Sequence, residues 1–409
     1  MTRRVVKELP PEEVEVVEEE DEVAEEDLVR ARSLFWRALI WVLVAFGVQT
    51  LASLMPETVE TYYSQNFYHY LVRWMASVNK FTQFSLGEIL IAGIVIWYVL
   101  WTFWYVSRAL RREASMIEVF KILFLQWAWL VAIGFALFLL MWGLNYQRMP
   151  IAERLDLEQR GDGREEIISV GRRIVDGANA NYSTREVQLT LPKLSQAVET
   201  GFQQLGMLGP ASQGGVSEPK PLYFSKVATW LDVRGVYIPY TGEATYNVMG
   251  PDCDMPFTLA HFKAHQRGYA REDEANFIAY VVCIKSTEPY VRYSGYLHGL
   301  KVLDFLARSD AQTAQELKAQ VLSGVAADVL TRETYWTKAR SEPLVPLVNG
   351  ILNIYLRANH IRGGLKNFSQ DTPLIVNYML KNTPSVIEAP LNPPVIEIPL
   401  TRAPLLTPY

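Results

Sequence analysis

Pro256-Phe-Thr-Leu-Ala-His261-Phe262-Lys263-Ala264-His265-Gln-Arg-Gly268 holds two of the chain's five histidines, four residues apart. On a helix that spacing places both imidazoles on one face, one turn apart, where they can bind one zinc ion at about 2.0–2.1 Å each. A few residues on, Arg271-Glu272-Asp273-Glu274-Ala275-Asn276-Phe277-Ile278-Ala279-Tyr280 reads as a second helix, acidic at its start, where the helix dipole favours negative charge. A zinc site needs a third protein ligand. Glu272 or Glu274 can supply it, and Asn276, one turn beyond Glu272, is placed to hydrogen-bond a ligand from behind. Spacing alone leaves a second reading open, in which two core or surface histidines precede a solvated acidic turn.

The residue after the first histidine decides the chemistry. In a zinc-peptidase helix of this spacing it is glutamate, which polarises the metal-bound water and takes its proton. Here it is Phe262, whose ring accepts no proton and crowds the place where that water has to sit. Lys263 adds a cation, which weakens a zinc site by repulsion if it points inward. Glu243 and Glu274 are the conceivable substitute bases, although a base must lie within about 3 Å of the water or act through another one. His69, His298 and His360 stand alone in separate segments and are given no role. Arg292, Tyr293 and Tyr296 either face the site as oxyanion donors or, on the blander reading, pack as an aromatic-rich helix against the ligand helices.

Upstream, Arg164 to Leu208 reads as helix with a break near Asn181 to Thr184 and an apolar stripe of Leu194, Val198, Phe202 and Leu205. Gly209, Pro210, Gly214, Gly215, Pro219 and Pro221 mark a loop. Leu222 to Ala228 and Gly235 to Tyr240 follow as β-like runs, so a small sheet or hairpin precedes the motif. Downstream, helical signals dominate near Tyr290 to Arg308, Thr313 to Leu330, Leu344 to Asn359 and Thr372 to Leu380. Residues 149–383 are therefore expected to form a mainly helical α+β domain. The last 26 residues, 384–409, contain seven prolines and favour flexible, polyproline-like chain. Cys253 and Cys283 leave a disulfide open, because spacing says nothing about the distance between their Cα atoms. There is no internal repeat, no phosphate-cradling glycine loop and no basic stripe of the kind nucleic acid needs.

Ahead of this domain lie three apolar stretches, Leu34 to Met55, Leu86 to Val106 and Ile122 to Leu144. Each has about the 20 residues needed to cross a hydrocarbon core at 1.5 Å per residue. Trp36, Trp41, Trp97, Trp101, Trp104, Trp127, Trp129 and Trp142 gather toward their ends and flanks, as interfacial aromatics do, which argues against a buried hairpin in a soluble core. The first stretch is not a signal peptide, since it follows an acidic lead and no small-residue cleavage site comes after it. Arg30, Arg32 and Arg37 precede the first span and Arg108, Arg111, Arg112 and Lys121 fill the loop between the second and third. Only Arg73 and Lys80 lie in the first loop. The N-terminus is thus expected in the cytoplasm, with everything after Leu144 outside it. Residues 30–148 form the membrane domain. Residues 1–29, with twelve Asp or Glu against three Lys or Arg, read as a disordered acidic tail.

Several separated blocks resemble the domain-of-unknown-function 3810 family in order: Gly235-Val-Tyr-Ile-Pro-Tyr-Thr-Gly-Glu243-Ala, the two motif helices, and Arg292-Tyr-Ser-Gly-Tyr-Leu. The resemblance spans roughly residues 34 to 380. It implies a bacterial inner-membrane protein with N-terminal spans and a zincin-like metallopeptidase domain, extracytoplasmic, its HExxH helix followed by a Glu-x-x-Ala-Asn helix. Carried over position by position, it implies that His261, His265 and Glu272 are the zinc ligands, with Asn276 behind them and Phe262 where the general base belongs. Three functions are then expected in turn: a pseudopeptidase that keeps the metal cradle, an active peptidase using a substitute base, and a non-catalytic envelope protein. The partners expected are the lipid bilayer and a polypeptide or envelope protein, without nucleic acid.

Overall fold

A computed structural model describes residues 11–111, 114–157, 163–182, 190–209 and 216–382. The proline-rich segment 384–409, residues 1–10 of the acidic lead, Arg112, Thr184 and the loop residues Pro210, Gly214 and Gly215 lie outside them. Helix α1 is Pro11–Ser53, followed by a π-helical stretch, Val59–Phe67, that runs into α2, Tyr68–Asn79. Helices α3, Leu86–Leu110, and α4, Met116–Met141, form a hairpin. Both begin at a serine cap: the Ser85 and Ser115 hydroxyls accept from the backbone N–H of Glu88 and Glu118, each at 3.2 Å.

Val29–Ser53, α3 and α4 are long and apolar enough to cross a membrane, as the three stretches anticipate. Most of their side chains face outward without protein cover; Ile91, Ile96, Leu100 and Phe103 of α3 are all more than half exposed. Such a surface is stable only against lipid. The acidic lead departs from expectation, because α1 already starts at Pro11. Glutamate is a good helix former and negative charge near a helix N-terminus complements the dipole, so the apolar span extends backward through the acidic run. The stretch between the first two spans, read only as a loop, is also helical.

The remaining helices are α5, Arg164–Tyr182; α6, Leu191–Gln204; α7, Ser225–Trp230; α8, Met255–Gln266; α9, Glu272–Ile284; α10, Pro289–Gly299; α11, Ala311–Ala319; α12, Ser323–Ala339; α13, Val345–Ala358; and α14, Asp371–Lys381. The helical segments beyond Phe257 fall close to where sequence periodicity puts them, and the break expected near Asn181 to Thr184 runs into residues 183–189, outside the described ones. Helix α9 is the axis of the core: every residue from Glu274 to Cys283 is buried, against α8, α10, α6 and α14. Gly201 of α6 comes so close that an added Cβ would lie 2.9 Å from the Val282 carbonyl oxygen. Cys283 belongs to this core, and no disulfide joins it to Cys253.

The sheet is small, with β1, Lys220–Pro221, and β2, Gly235–Ile238, flanking β3, Glu243–Tyr246. β2 pairs antiparallel with β3, Val236 opposite Thr245, and β1 pairs parallel to it. The run Leu222 to Ala228, read as a strand, turns into α7 instead. Phe224, Val227 and Trp230 recur at three-residue intervals, which is helical spacing rather than the two-residue alternation of a strand. The Ser225 hydroxyl, donating to Leu222 O at 2.6 Å, bends the chain away from extended structure.

Candidate functional site

Helix α8 is buried almost all round, which fixes the directions of its side chains. It ends at Gly268, whose φ of +80° is the left-handed conformation a side chain disfavours. There a Cβ would also meet Asn145 Oδ1 at 2.8 Å. Arg148 clamps the turn, donating to Gly268 O at 2.8 Å while its other nitrogens bind Glu60 at 2.7 and 2.8 Å. The turn delivers Tyr269 O to His265, 2.7 Å from Nδ1. That bond places the proton on Nδ1 and leaves the Nε2 lone pair of His265 facing into the site. Helix α9 starts without a side-chain cap of its own. Asn367 Oδ1 serves instead, accepting from Glu272 N at 2.9 Å and Asp273 N at 3.3 Å, so Glu272 is held at the first turn.

These two supports bring His261, His265 and Glu272 together. His261 Nε2 and His265 Nε2 are 3.0 Å apart, and Glu272 Oε2 stands 3.4 Å from each. A tetrahedral ion with bonds of about 2.0–2.1 Å spaces its ligand atoms about 3.3 Å apart, so the three atoms fit three corners of such a site. The cluster is nearly dry, with side-chain exposures of 11, 6 and 12% for His261, His265 and Glu272. Glu272 Oε2 is buried and has no hydrogen-bond donor, a deficit that a cation removes. Burial pushes the Glu272 carboxyl up, but His265 and His261 beside it prevail and hold it down at about 2. His261 is pushed below its ordinary value by burial and then by His265. A carboxylate and two imidazoles whose Nε2 atoms are free of protons make the donor set a divalent metal takes.

The other residues singled out from sequence divide differently. Phe262 is buried, its ring centred 4.8 Å from that of His261 and 6.0 Å from that of His265. It wedges against Gly235 of β2, where an added Cβ would come within 2.3 Å of the ring. Lys263 points away from the cluster and binds Glu199 of α6 at 2.7 Å, a carboxylate shared with Arg267 at 2.6 Å. Its charge therefore does not oppose a metal. Glu243 is fully engaged, accepting from Lys220 Nζ at 2.6 Å, Gly87 N at 2.7 Å, Thr241 Oγ1 at 2.9 Å, Leu86 N at 3.0 Å and Ser85 Oγ at 3.3 Å. It caps α3 and is in no position to act as a base. Glu274 binds Ile151 N at 2.9 Å and Arg271 at 3.0 Å, which ties α9 to the segment after the third span. Asn276 adjoins His261 and donates to Phe368 O at 3.1 Å.

Arg292 binds Asn181, Ser286 O and Thr287 O, Tyr293 donates to Asp328 at 2.6 Å, and Tyr296 packs on Gly177. All three are packing residues, the blander of the two readings. His69 lies 3.4 Å from Arg73, His360 lies 3.2 Å from Gln147, and His298 joins Asp371 and Lys301 in a separate buried group.

Sequence reasoning missed the aromatic wall behind the cluster. Trp142, one residue past α4, donates from Nε1 to His265 O at 3.0 Å. The Tyr146 hydroxyl donates to that of Tyr355 at 3.2 Å, and both phenols are pushed up by burial and in part by the charge of Glu272. No local spacing signals these residues, because they lie roughly a hundred positions from the motif; the one available hint was the tryptophan at the end of a span.

No curated protein and no solved structure matches the chain. The family model described as protein of unknown function (DUF3810) matches residues 63–376, about three quarters of the sequence, beginning after the first span rather than near residue 34. Both motif helices, the sheet and the aromatic wall fall inside that match, and the chain belongs to the DUF3810 family.

Proposed function

We propose that this chain is a membrane-anchored, zinc-peptidase-like protein, zincin-like in its helical domain, that keeps a metal cradle and has lost, or nearly lost, the power to cut peptide bonds. One observation carries the reading: three donor atoms converge at 3.0–3.4 Å in a dry pocket, with the Phe262 ring where a proton acceptor is required. His261, His265 and Glu272 would hold the ion, which when bound supplies Lewis acidity and a more acidic water. Tyr269 O and Asn276 orient the imidazoles, Asn367 positions Glu272, and Phe262 excludes water from the side on which a base would act. Against the active-peptidase reading, Glu243 is fully engaged and Glu274 Oε1 is bound to Ile151 N and Arg271. Loss of a general base removes a factor of about 10²–10⁴.

The same reading assigns the protein to a bacterial inner membrane, N-terminus in the cytoplasm and the α5–α14 domain outside, on the Lys and Arg bias of the flanks. Its partners are the bilayer and a polypeptide or envelope protein that it binds without cleaving. One observation favours the metal-free, purely structural alternative: the 3.0 Å contact between His261 and His265 can close as a hydrogen bond.

The test compares the full chain with Phe262→Glu, both purified in detergent, on an unstructured protein such as casein, with zinc content measured on each. Background cleavage by the original and a gain of roughly 10²–10⁴ in the variant, at equal zinc, is the expected result. Robust cleavage by the unmodified chain overturns the pseudopeptidase reading, and zinc in neither protein after reconstitution overturns the metal cradle.

A further inference from the structure

We infer that α13 is a fourth membrane-associated element, lying in the plane of the bilayer interface with Leu347, Ile351 and Ile354 turned into the lipid. The inference rests on the membrane reading of α1, α3 and α4. Among the 14 residues of α13, Val345 to Ala358, only Arg357 is charged. Leu347, Ile351 and Ile354 recur at helical spacing on one face and are 62, 61 and 70% exposed. The opposite face is engaged: Leu352, Tyr355 and Leu356 pack into the cluster built by Ala45 of α1 and Phe138 and Leu139 of α4. Its polar residues Asn349, Asn353 and Arg357 recur four apart along one edge, so the outward face itself carries apolar side chains where an amphipathic helix on a water-soluble domain turns polar ones.

Its position supplies the occupant. Gln49, four residues inside the end of α1 and fully buried, donates to Ala358 O at 3.1 Å and Asn359 Oδ1 at 3.2 Å. The Tyr355 ring sits 5.8 Å from that of Phe138, three residues inside the end of α4. At 1.5 Å per residue, the C-terminal half of α13 is therefore level with the last turn of both spans, about 5 Å inside their ends. Two further contacts agree. Tyr223 N and Phe224 N donate to Glu88 in the first turn of α3 at 2.9 and 3.1 Å, which brings Tyr223, Phe224 and the exposed Trp230 of α7 to the same level. Tyr240, in the turn between β2 and β3, donates to Gly134 O at 3.0 Å, seven residues inside the end of α4. The domain is sunk into one leaflet rather than perched above it. Phe46 and Leu51 of α1 and Leu140 of α4, near the same ends of their spans, are exposed as well.

The test places an environment-sensitive fluorophore at Ile351→Cys and Ile354→Cys, with Leu100→Cys in α3 and Gln315→Cys in α11 as references. Each full-length variant is reconstituted into phosphatidylcholine vesicles, with or without lipid brominated near the glycerol end or deep in the acyl chain. The unmodified chain, whose two cysteines are both buried, gives the labelling background. Residues 351 and 354 should lose roughly half their fluorescence to the shallow bromolipid and less to the deep one, residue 100 should show the reverse preference, and residue 315 should respond to neither. If 351 and 354 behave like 315, α13 is a water-facing helix and the inference fails while the spans stand. Shielding of 351 from both bromolipid and aqueous iodide means that protein covers the face, and the inference fails again. An unquenched residue 100 removes the membrane reading itself, and with it the inference.

Discussion

Two buried histidine–carboxylate groups stand on neighbouring helices, and only one of them is electrically complete. In the first, the Asp371 carboxylate, fully buried, accepts from His298 Nε2 at 3.1 Å and binds the Lys301 ammonium, while Phe257 stacks on the imidazole at 3.7 Å. His298 is pushed down to about 3, first by burial and then by Lys301, so it stays neutral and the lysine supplies the charge. In the second, Glu272 faces two imidazoles at 3.4 Å, and among the described contacts no lysine or arginine reaches it. The cation that sequence places nearest, Lys263, is spent on Glu199. Burying a carboxylate is costly unless it is paired. The first group is a finished structural ion pair; the second leaves Glu272 without a lysine or arginine among the described contacts, and the proposed metal would supply that charge.

The contrast breaks most sharply at Lys301. Lys301→Met leaves Asp371 buried without its cation and should cost about 3–5 kcal/mol, read as a lower thermal midpoint in detergent with zinc content unchanged. Loss of zinc in this variant would merge two groups that the account keeps separate. The Glu199 pair gives a smaller effect with a defined pH window. Burial raises the Glu199 carboxyl, but Arg267 and Lys263 more than offset it and hold it at about 2, against 4.5 for the free group. A depressed carboxyl stabilises the fold above the unfolded-state value, so roughly 3 kcal/mol is present at neutral pH and is lost as pH falls from about 4.5 toward 2. Glu199→Gln should flatten that limb of the pH–stability curve. A variant curve that keeps the same acid limb would assign the loss to other carboxylates.

The grouping of His261, His265 and Glu272 was legible because its logic is local: two histidines a turn apart, and a glutamate opening the next helix. The direction of Lys263 was left open, although two residues beyond His261 is about 200° around the helix, nearly the opposite face. What could not be read lies far away in sequence. Glu243 looked like a spare base, yet its partners come from Ser85, Leu86, Gly87 and Lys220, which tertiary packing alone assembles. Trp142, Tyr355 and Asn367 reach the cluster from other helices and turns. The three spans announced themselves by length and apolarity, whereas α7 was misread because the segment Leu222 to Ala228 is too short for its periodicity to separate helix from strand. The acidic lead was misread for the opposite reason: composition pointed to disorder, while helix propensity and an adjoining span favoured continuation.

The most direct test of the central claim is the metal content of the full-length protein, purified in detergent, equilibrated with zinc and freed of excess, beside His261→Ala with Lys301→Met as the structural control. The account predicts about one zinc per chain in the unmodified protein and in Lys301→Met, and close to none in His261→Ala. Equal zinc in the unmodified chain and His261→Ala, or none in any of the three, would contradict it.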